Sequence, residues 1–246
     1  MKLSNDAGFT IIETMLFLGI TGLLVMGVLV GTGTSINIQR YRDSVSSLQS
    51  VLQQQFSDVS NVNNDRTSDW ACSGTAIPVQ TPVGGGIARG QSDCVILGRY
   101  ISTSDSHILT IKSVVGYIPS SSSVGLNDVD ALALYKVHIS PVTTETYEVE
   151  WGSSIVKPGG DVGMIFSILV LRSPSSGIIR TFNSIDKVVA DNDIASLVNQ
   201  TALQTSAKMC VNSNGLFTTA RTAVEVTANA TSASGVEVLG EATSGC

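Results

Sequence analysis

The sequence predicts an α+β protein in which one long N-terminal helix, with a membrane half and an amphipathic half, packs on an antiparallel β-sheet domain. Three observations carry that expectation. No charged side chain occurs from Thr14 through Gln39; apolar residues then recur at alternating steps of three and four; and short β-branched or aromatic runs bounded by Gly, Pro, Ser and Asn fill the chain from Trp70 onward.

In the first half of the helix, Leu16 to Val30 is apolar except for Gly19, Thr21, Gly22 and Gly27. The uncharged stretch is long enough to cross ~30 Å of hydrocarbon as a helix. A cleaved secretory signal would need small residues in an A-x-A pattern after the apolar run, and Gly31-Thr32-Gly33-Thr34-Ser35 fits that poorly. In the second half, Ile38, Tyr41, Val45, Leu48, Leu52, Val59 and Val62 form an apolar stripe with Gln55 as its single polar interruption, while Ser44, Ser46, Ser47, Gln49, Ser50, Gln53 and Gln54 fill the other face. A coiled-coil stalk is the weaker reading, because the stripe is short and lacks charged flanks. Polar residues from Asn61 to Asp69 end the helix.

Strands are expected at Val95 to Ile101, His107 to Tyr117, Ala131 to Ile139, Thr146 to Trp151, Gly163 to Arg172 and Gly177 to Phe182, with Ser173 to Ser176 as a hairpin connection. A short helix from Asp193, capped by it, is expected next. Strand character returns at Met209 to Val211, Leu216 to Thr218, Ala223 to Thr227 and Val236 to Leu239, while Gly84 to Gly86 and Ser120 to Ser123 read as loops.

Composition bounds the function. The chain has 246 residues, of which 14% are charged, and a net charge of −6; with a mean hydropathy of +0.27 it is no solvated tail. Nucleic acid is not expected as a partner, since phosphate binding is built from Lys and Arg and no basic cluster is present. His107 and His138 stand 31 residues apart without nearby cysteine, which is no metal-ligand spacing, and both read as ordinary strand residues. Asp128-Val129-Asp130 and Asp191-Asn192-Asp193 pair acids as calcium loops do, but lack the full spacing and fit turns or caps better. No cofactor or metal is expected. No nucleophile elbow, zinc-protease or P-loop motif occurs, so no catalytic residue is assigned and an enzyme is not expected. The four cysteines allow three pairings; Cys72 with Cys94 and Cys210 with Cys246 is the sequential one, and Cys246, the last residue of the sequence, suggests a bridge that ties down that end.

Glu13 is the residue that a simple membrane anchor leaves unexplained, because an unpaired carboxylate within the bilayer costs at least ~2.5 kcal/mol. It stands in Gly8-Phe9-Thr10-Ile11-Ile12-Glu13, after a short polar leader from Met1 to Ala7. This resembles the class III signal of type IV prepilins and type II secretion pseudopilins. The resemblance implies cleavage after Gly8 by a prepilin peptidase, N-methylation of Phe9, and Glu13 as the fifth residue of the processed chain. The new ammonium on Phe9 of one subunit can then neutralise Glu13 of its neighbour inside the apolar phase, with Phe9, Thr10 and Glu13 forming the assembly site.

The implied division is a leader at 1–8, a transmembrane and assembly helix at 9–33, an amphipathic helix at 34–62 and an exported β-rich domain at 63–246. The implied partners are other pilin subunits through the helix, the prepilin peptidase and a membrane assembly platform. The implied location is single-pass in the cytoplasmic membrane before assembly and an extracellular filament after it. Removing eight residues leaves 238, longer than most major pilins, which favours a minor pilin or pseudopilin. A C-terminal disulfide also resembles that family. The chain departs from it at Val30, where many major pilins carry a proline; Gly19, Gly22, Gly27 and Gly31 could loosen the helix instead. Charge does not settle topology, with Lys2 on one side and Arg40 and Arg42 on the other, so orientation is taken from the leader. The rival reading is a membrane-anchored adhesin or binding domain that does not polymerise.

Overall fold

A computed structural model describes residues 10–61, 70–72, 80–82, 93–117, 126–214, 221–240 and 245–246. Helix α1 runs unbroken from Ile11 to Asn61. Its lower half is exposed, whereas Tyr41, Ser44, Val45, Leu48, Leu52, Gln55, Phe56 and Val59 are buried. The apolar stripe therefore runs as the period demands, with three corrections. Ser44, expected on the solvent face, is fully buried; Phe56 joins the stripe; and Ile38 stays 39% exposed. Val62 lies outside the described residues.

The stripe lies across two antiparallel sheets. The larger holds β3 (Cys94–Thr103), β4 (Ile108–Tyr117), β5 (His138–Glu148), β7 (Phe166–Arg172) and β8 (Ile179–Ile185), in the order β5-β4-β3-β7-β8. The smaller holds β6 (Ser154–Val156), β9 (Ala207–Asn212), β10 (Thr222–Val226) and β11 (Val236–Leu239), in the order β11-β10-β9-β6. A separate ladder pairs β1 (Trp70–Cys72) with β2 (Gln80–Pro82). Alternation along β7 shows why this sheet has two cores: Phe166, Ile168 and Val170 face α1, while Leu169 and Leu171 face the opposite side. That opposite side is covered by α2 (Asp128–Leu134), a 3₁₀ turn at Ile194–Leu197 and α3 (Gln200–Gln204). Gly98 sits where β3 bulges, and a Cβ there would collide with the Val170 carbonyl of β7.

Among the polar ties that hold α1 to the domain, two stand near the ends of its buried half. The Tyr41 hydroxyl donates to the Val211 carbonyl at 3.1 Å and accepts from the Thr222 amide at 2.7 Å. Near the other end of the buried half, Arg99 reaches Asp58 of α1 at 3.7 Å and Glu145 of β5 at 3.2 Å.

The strand expected at Ala131 to Ile139 is a helix followed by a strand. Asn127 caps α2 by accepting from the amides of Val129 and Asp130, and the acids of its first turn suit the positive end of a helix. Lys136, at φ 49°, turns the chain into β5. The run Thr146 to Trp151 ends as strand at Glu148 and continues as a 3₁₀ turn, Glu150–Gly152. Asp193 precedes the 3₁₀ turn without a side-chain capping bond; Asn199 caps α3 instead, accepting from Ala202 at 2.8 Å. The remaining expected strands are present within a few residues of their limits, apart from Leu216 to Thr218, which lies outside the described residues, as do the loops at 84–86 and 120–123.

Candidate functional site

The feature that most needs a function is the uncovered half of α1. Fourteen large apolar side chains between Ile11 and Val30 are exposed, from Ile11 at 79% to Ile20 at 51%, and none of the most apolar stretch is buried. Soluble monomers rarely expose contiguous apolar patches beyond a few hundred Å². This one encircles a helix long and apolar enough to cross a membrane.

The polar residues in that half are arranged for an apolar phase. Thr14 donates to the Ile11 carbonyl at 2.9 Å, Thr21 to Phe17 at 2.8 Å, Thr32 to Val28 at 2.9 Å, Thr34 to Val30 at 3.0 Å and Ser35 to Gly31 at 3.1 Å. Each hydroxyl proton is satisfied by the helix itself, which lowers the cost of placing it in lipid. No Cβ placed on Gly19, Gly22, Gly27, Gly31 or Gly33 would meet another atom, so nothing within the described chain explains their small size.

Thr10 and Glu13 stand together at the helix start. The Glu13 amide donates to the Thr10 hydroxyl oxygen at 3.3 Å, so Thr10 caps the helix as the first half of a Thr-x-x-Glu capping box does. The capping role of Thr10 is signalled by Thr10-Ile11-Ile12-Glu13. Glu13 is the acid of the first turn, where the helix dipole favours one, but neither dipole nor cap supplies a counter-charge for a membrane. Gly8 and Phe9 lie outside the described residues.

The sulfurs fall into the sequential pairing. Cys72 bridges Cys94 and Cys210 bridges Cys246, each with Cα atoms 5.7 Å apart. The second bridge joins the last residue to β9, and Arg221, one residue before β10, also donates to the Cys246 carbonyl at 3.4 Å.

The other sequence candidates resolve into structural roles. Asp128 receives Arg180 at 2.7 Å and Ser176 at 2.7 Å. Burial pushes its carboxyl up, but Ser176, Arg180 and Ser173 together hold it below the usual carboxylate range. Asp130 accepts from Asn127, Asp191 pairs with Lys112, and among the described residues no cluster of three or more His, Cys, Asp or Glu could hold a metal. Asp105 accepts from the Ile108 and His107 amides at 2.8 and 2.9 Å, bonds that keep its carboxyl low; His107 thus belongs to a turn just before β4. His138 is partly buried on β5, and desolvation lowers its pKa against the opposing pull of Asp191. Comparison with family models, with curated proteins and with solved structures finds no match.

Proposed function

We propose that this chain is a structural subunit, of the minor pilin or pseudopilin kind, in a type IV pilus or a related type II secretion-like filament. In this reading it is cut after Gly8, held in the membrane by residues 9–33, and withdrawn into a helical assembly through that same segment. The observation that carries the reading is an uncovered apolar helix rising from a single carboxylate, Glu13, and continuous with the helix that organises the domain. Such a helix needs lipid first and protein later, and a filament of like helices supplies the second. Glu13 then finds its counter-charge in the Phe9 ammonium of an adjacent subunit, whereas left alone in the bilayer it would cost several kcal/mol.

The test is intact mass of the membrane-purified protein. Loss of residues 1–8 with one added methyl group is expected. Gly8→Val should leave the full precursor in the membrane. A wild-type mass that retains the leader, or a processed Gly8→Val chain, contradicts the assignment.

One observation favours the rival, a membrane-anchored binding domain that does not polymerise. Glu13 stands in the first turn of α1, where the helix dipole alone favours an acid without any neighbouring subunit. Filament incorporation separates the two readings, because an acid that only suits the helix start is dispensable for incorporation and one that pairs with a neighbouring subunit is not.

A further inference from the structure

The rim of the domain nearest the uncovered helix carries an unusual pair. The Arg40 guanidinium lies 4.9 Å from the centroid of the Trp151 ring. Arg40 is exposed and directly precedes Tyr41, where burial begins. Trp151 is 51% exposed and holds a left-handed backbone, φ 58° and ψ 27°, followed by Gly152 at φ 68°. That conformation is uncommon for a bulky residue.

The position of this pair along α1 is fixed by its neighbours. Glu150 accepts from Ser47 at 2.9 Å, and the Tyr147 hydroxyl donates to the same Ser47 at 3.0 Å. Ser47 lies seven residues beyond Arg40, or ~10 Å along the axis. The chain from Tyr147 to Trp151 therefore descends the helix toward its bare half. A hydrocarbon slab of ~30 Å centred on the uncharged stretch would end near Ile36, leaving Arg40 only ~5 Å outside it. A slab that begins at Glu13 would end near Gly33, leaving Arg40 ~10 Å outside. The headgroup layer occupies roughly 5 to 8 Å of that height. Helical side chains lean toward the N-terminus, here toward the membrane.

We propose that Trp151 and Arg40 form a headgroup-level anchor that seats the domain on the lipid surface before assembly. Trp151 places its indole at the boundary between hydrocarbon and headgroups, and Arg40 lies between that ring and the lipid phosphates. Arg42, about 200° around the helix, adds a second exposed cation near the same level. Asp43 and Glu148 bring carboxylates to the same rim, so binding depends on indole and guanidinium geometry rather than on net charge. The inference rests on the proposed reading in which the first half of α1 spans the membrane.

The experiment uses the full chain with Trp70→Phe, which leaves Trp151 as the sole indole of the two in the sequence. It is reconstituted into phosphatidylcholine vesicles with bromine either near the headgroup end of the acyl chains or near their methyl ends. Headgroup-proximal bromine should quench Trp151 at least about twofold more than deep bromine, as an interfacial indole requires. In Arg40→Glu the two should quench alike, and an unchanged preference overturns the role of Arg40. Should Trp70→Phe not fold, wild type compared with Trp151→Phe gives the same signal by difference. A chain that resists carbonate extraction while Trp151 is untouched by bromine and open to acrylamide overturns the anchor and leaves the membrane span intact. An indole shielded from both quenchers means that a second copy covers it, which also overturns the anchor. Failure to enter vesicles at all overturns the span and the anchor together.

Discussion

Residues 11–40 and residues 41–61 belong to one unbroken helix, yet only the second part has found its partner within the chain. The upper part presents one apolar stripe, and that stripe is covered by both sheets. Within the lower part, the stretch from Met15 to Val30 is apolar nearly all round and is covered by nothing described. Secondary structure is thus the same where the environments differ completely. What differs is the angular distribution of apolar side chains: a stripe can be satisfied by one sheet face, whereas a full apolar cylinder needs a surrounding phase or several neighbouring helices.

Paired truncations sharpen that contrast most strongly. Phe56→Ala, at a side chain 2% exposed, should destabilise the domain by about 3 to 5 kcal/mol through lost burial and the cavity left behind. Leu24→Ala, in the bare half, should leave thermal unfolding of the domain unchanged. A comparable loss from both would mean that the lower half packs against the domain after all.

At the junction between the two halves the expected effect is smaller. Tyr41→Phe keeps the ring but removes the hydroxyl that serves the Val211 carbonyl and the Thr222 amide. Leaving these groups short of a partner should cost about 1 to 3 kcal/mol, read by chemical denaturation. No change would place water at those two groups and weaken the role of Tyr41 as the fastening point.

The smallest effect expected is pH-dependent and confined to the domain. Asp128 has its carboxyl held low, with Arg180 and Ser176 on it. A depressed carboxyl contributes stability above its unfolded pKa and loses it as pH falls through the lower folded value. Acidification below the ordinary carboxylate range should therefore lower the melting temperature of wild type more than that of Asp128→Asn. Parallel pH profiles would remove Asp128 from the account.

Much of this fold was legible. Tyr41, Val45, Leu48, Leu52 and Val59 follow the helical period closely enough to name the buried face. Ser44 escaped because a hydroxyl reads as solvent-facing, while burial depends on the stripe to which a residue belongs. Asp128 and Asp130 read as turn or cap acids, and the β-branched and aromatic residues that follow as a strand. The decisive signal was Asn127, whose cap makes the same acids a favourable first turn. Sequential strands joined by short turns, such as β7 and β8 across Ser173 to Ser176, were readable because both register and turn are local. The division of nine strands into two sheets was not, since it depends on contacts made far along the chain.

The candidate site was legible in a different sense. The apolar run and its lone acid are visible at a glance, and the structure adds self-satisfied hydroxyls and the Thr10 cap. In the reading proposed above the partner is a set of copies of the same helix, which neither the sequence nor a single chain can display.

That partner is tested most directly at Glu13. Glu13→Val makes the helix more apolar, so the chain should still be inserted and cleaved, and the domain, ~42 Å further along the axis at Tyr41, should keep its fold and disulfides. Mature Glu13→Val protein is expected at wild-type amount in the membrane fraction and to be absent from sheared filaments. Incorporation of Glu13→Val into filaments at the wild-type level would contradict the account, leaving Glu13 as a first-turn acid of an anchor helix and nothing more.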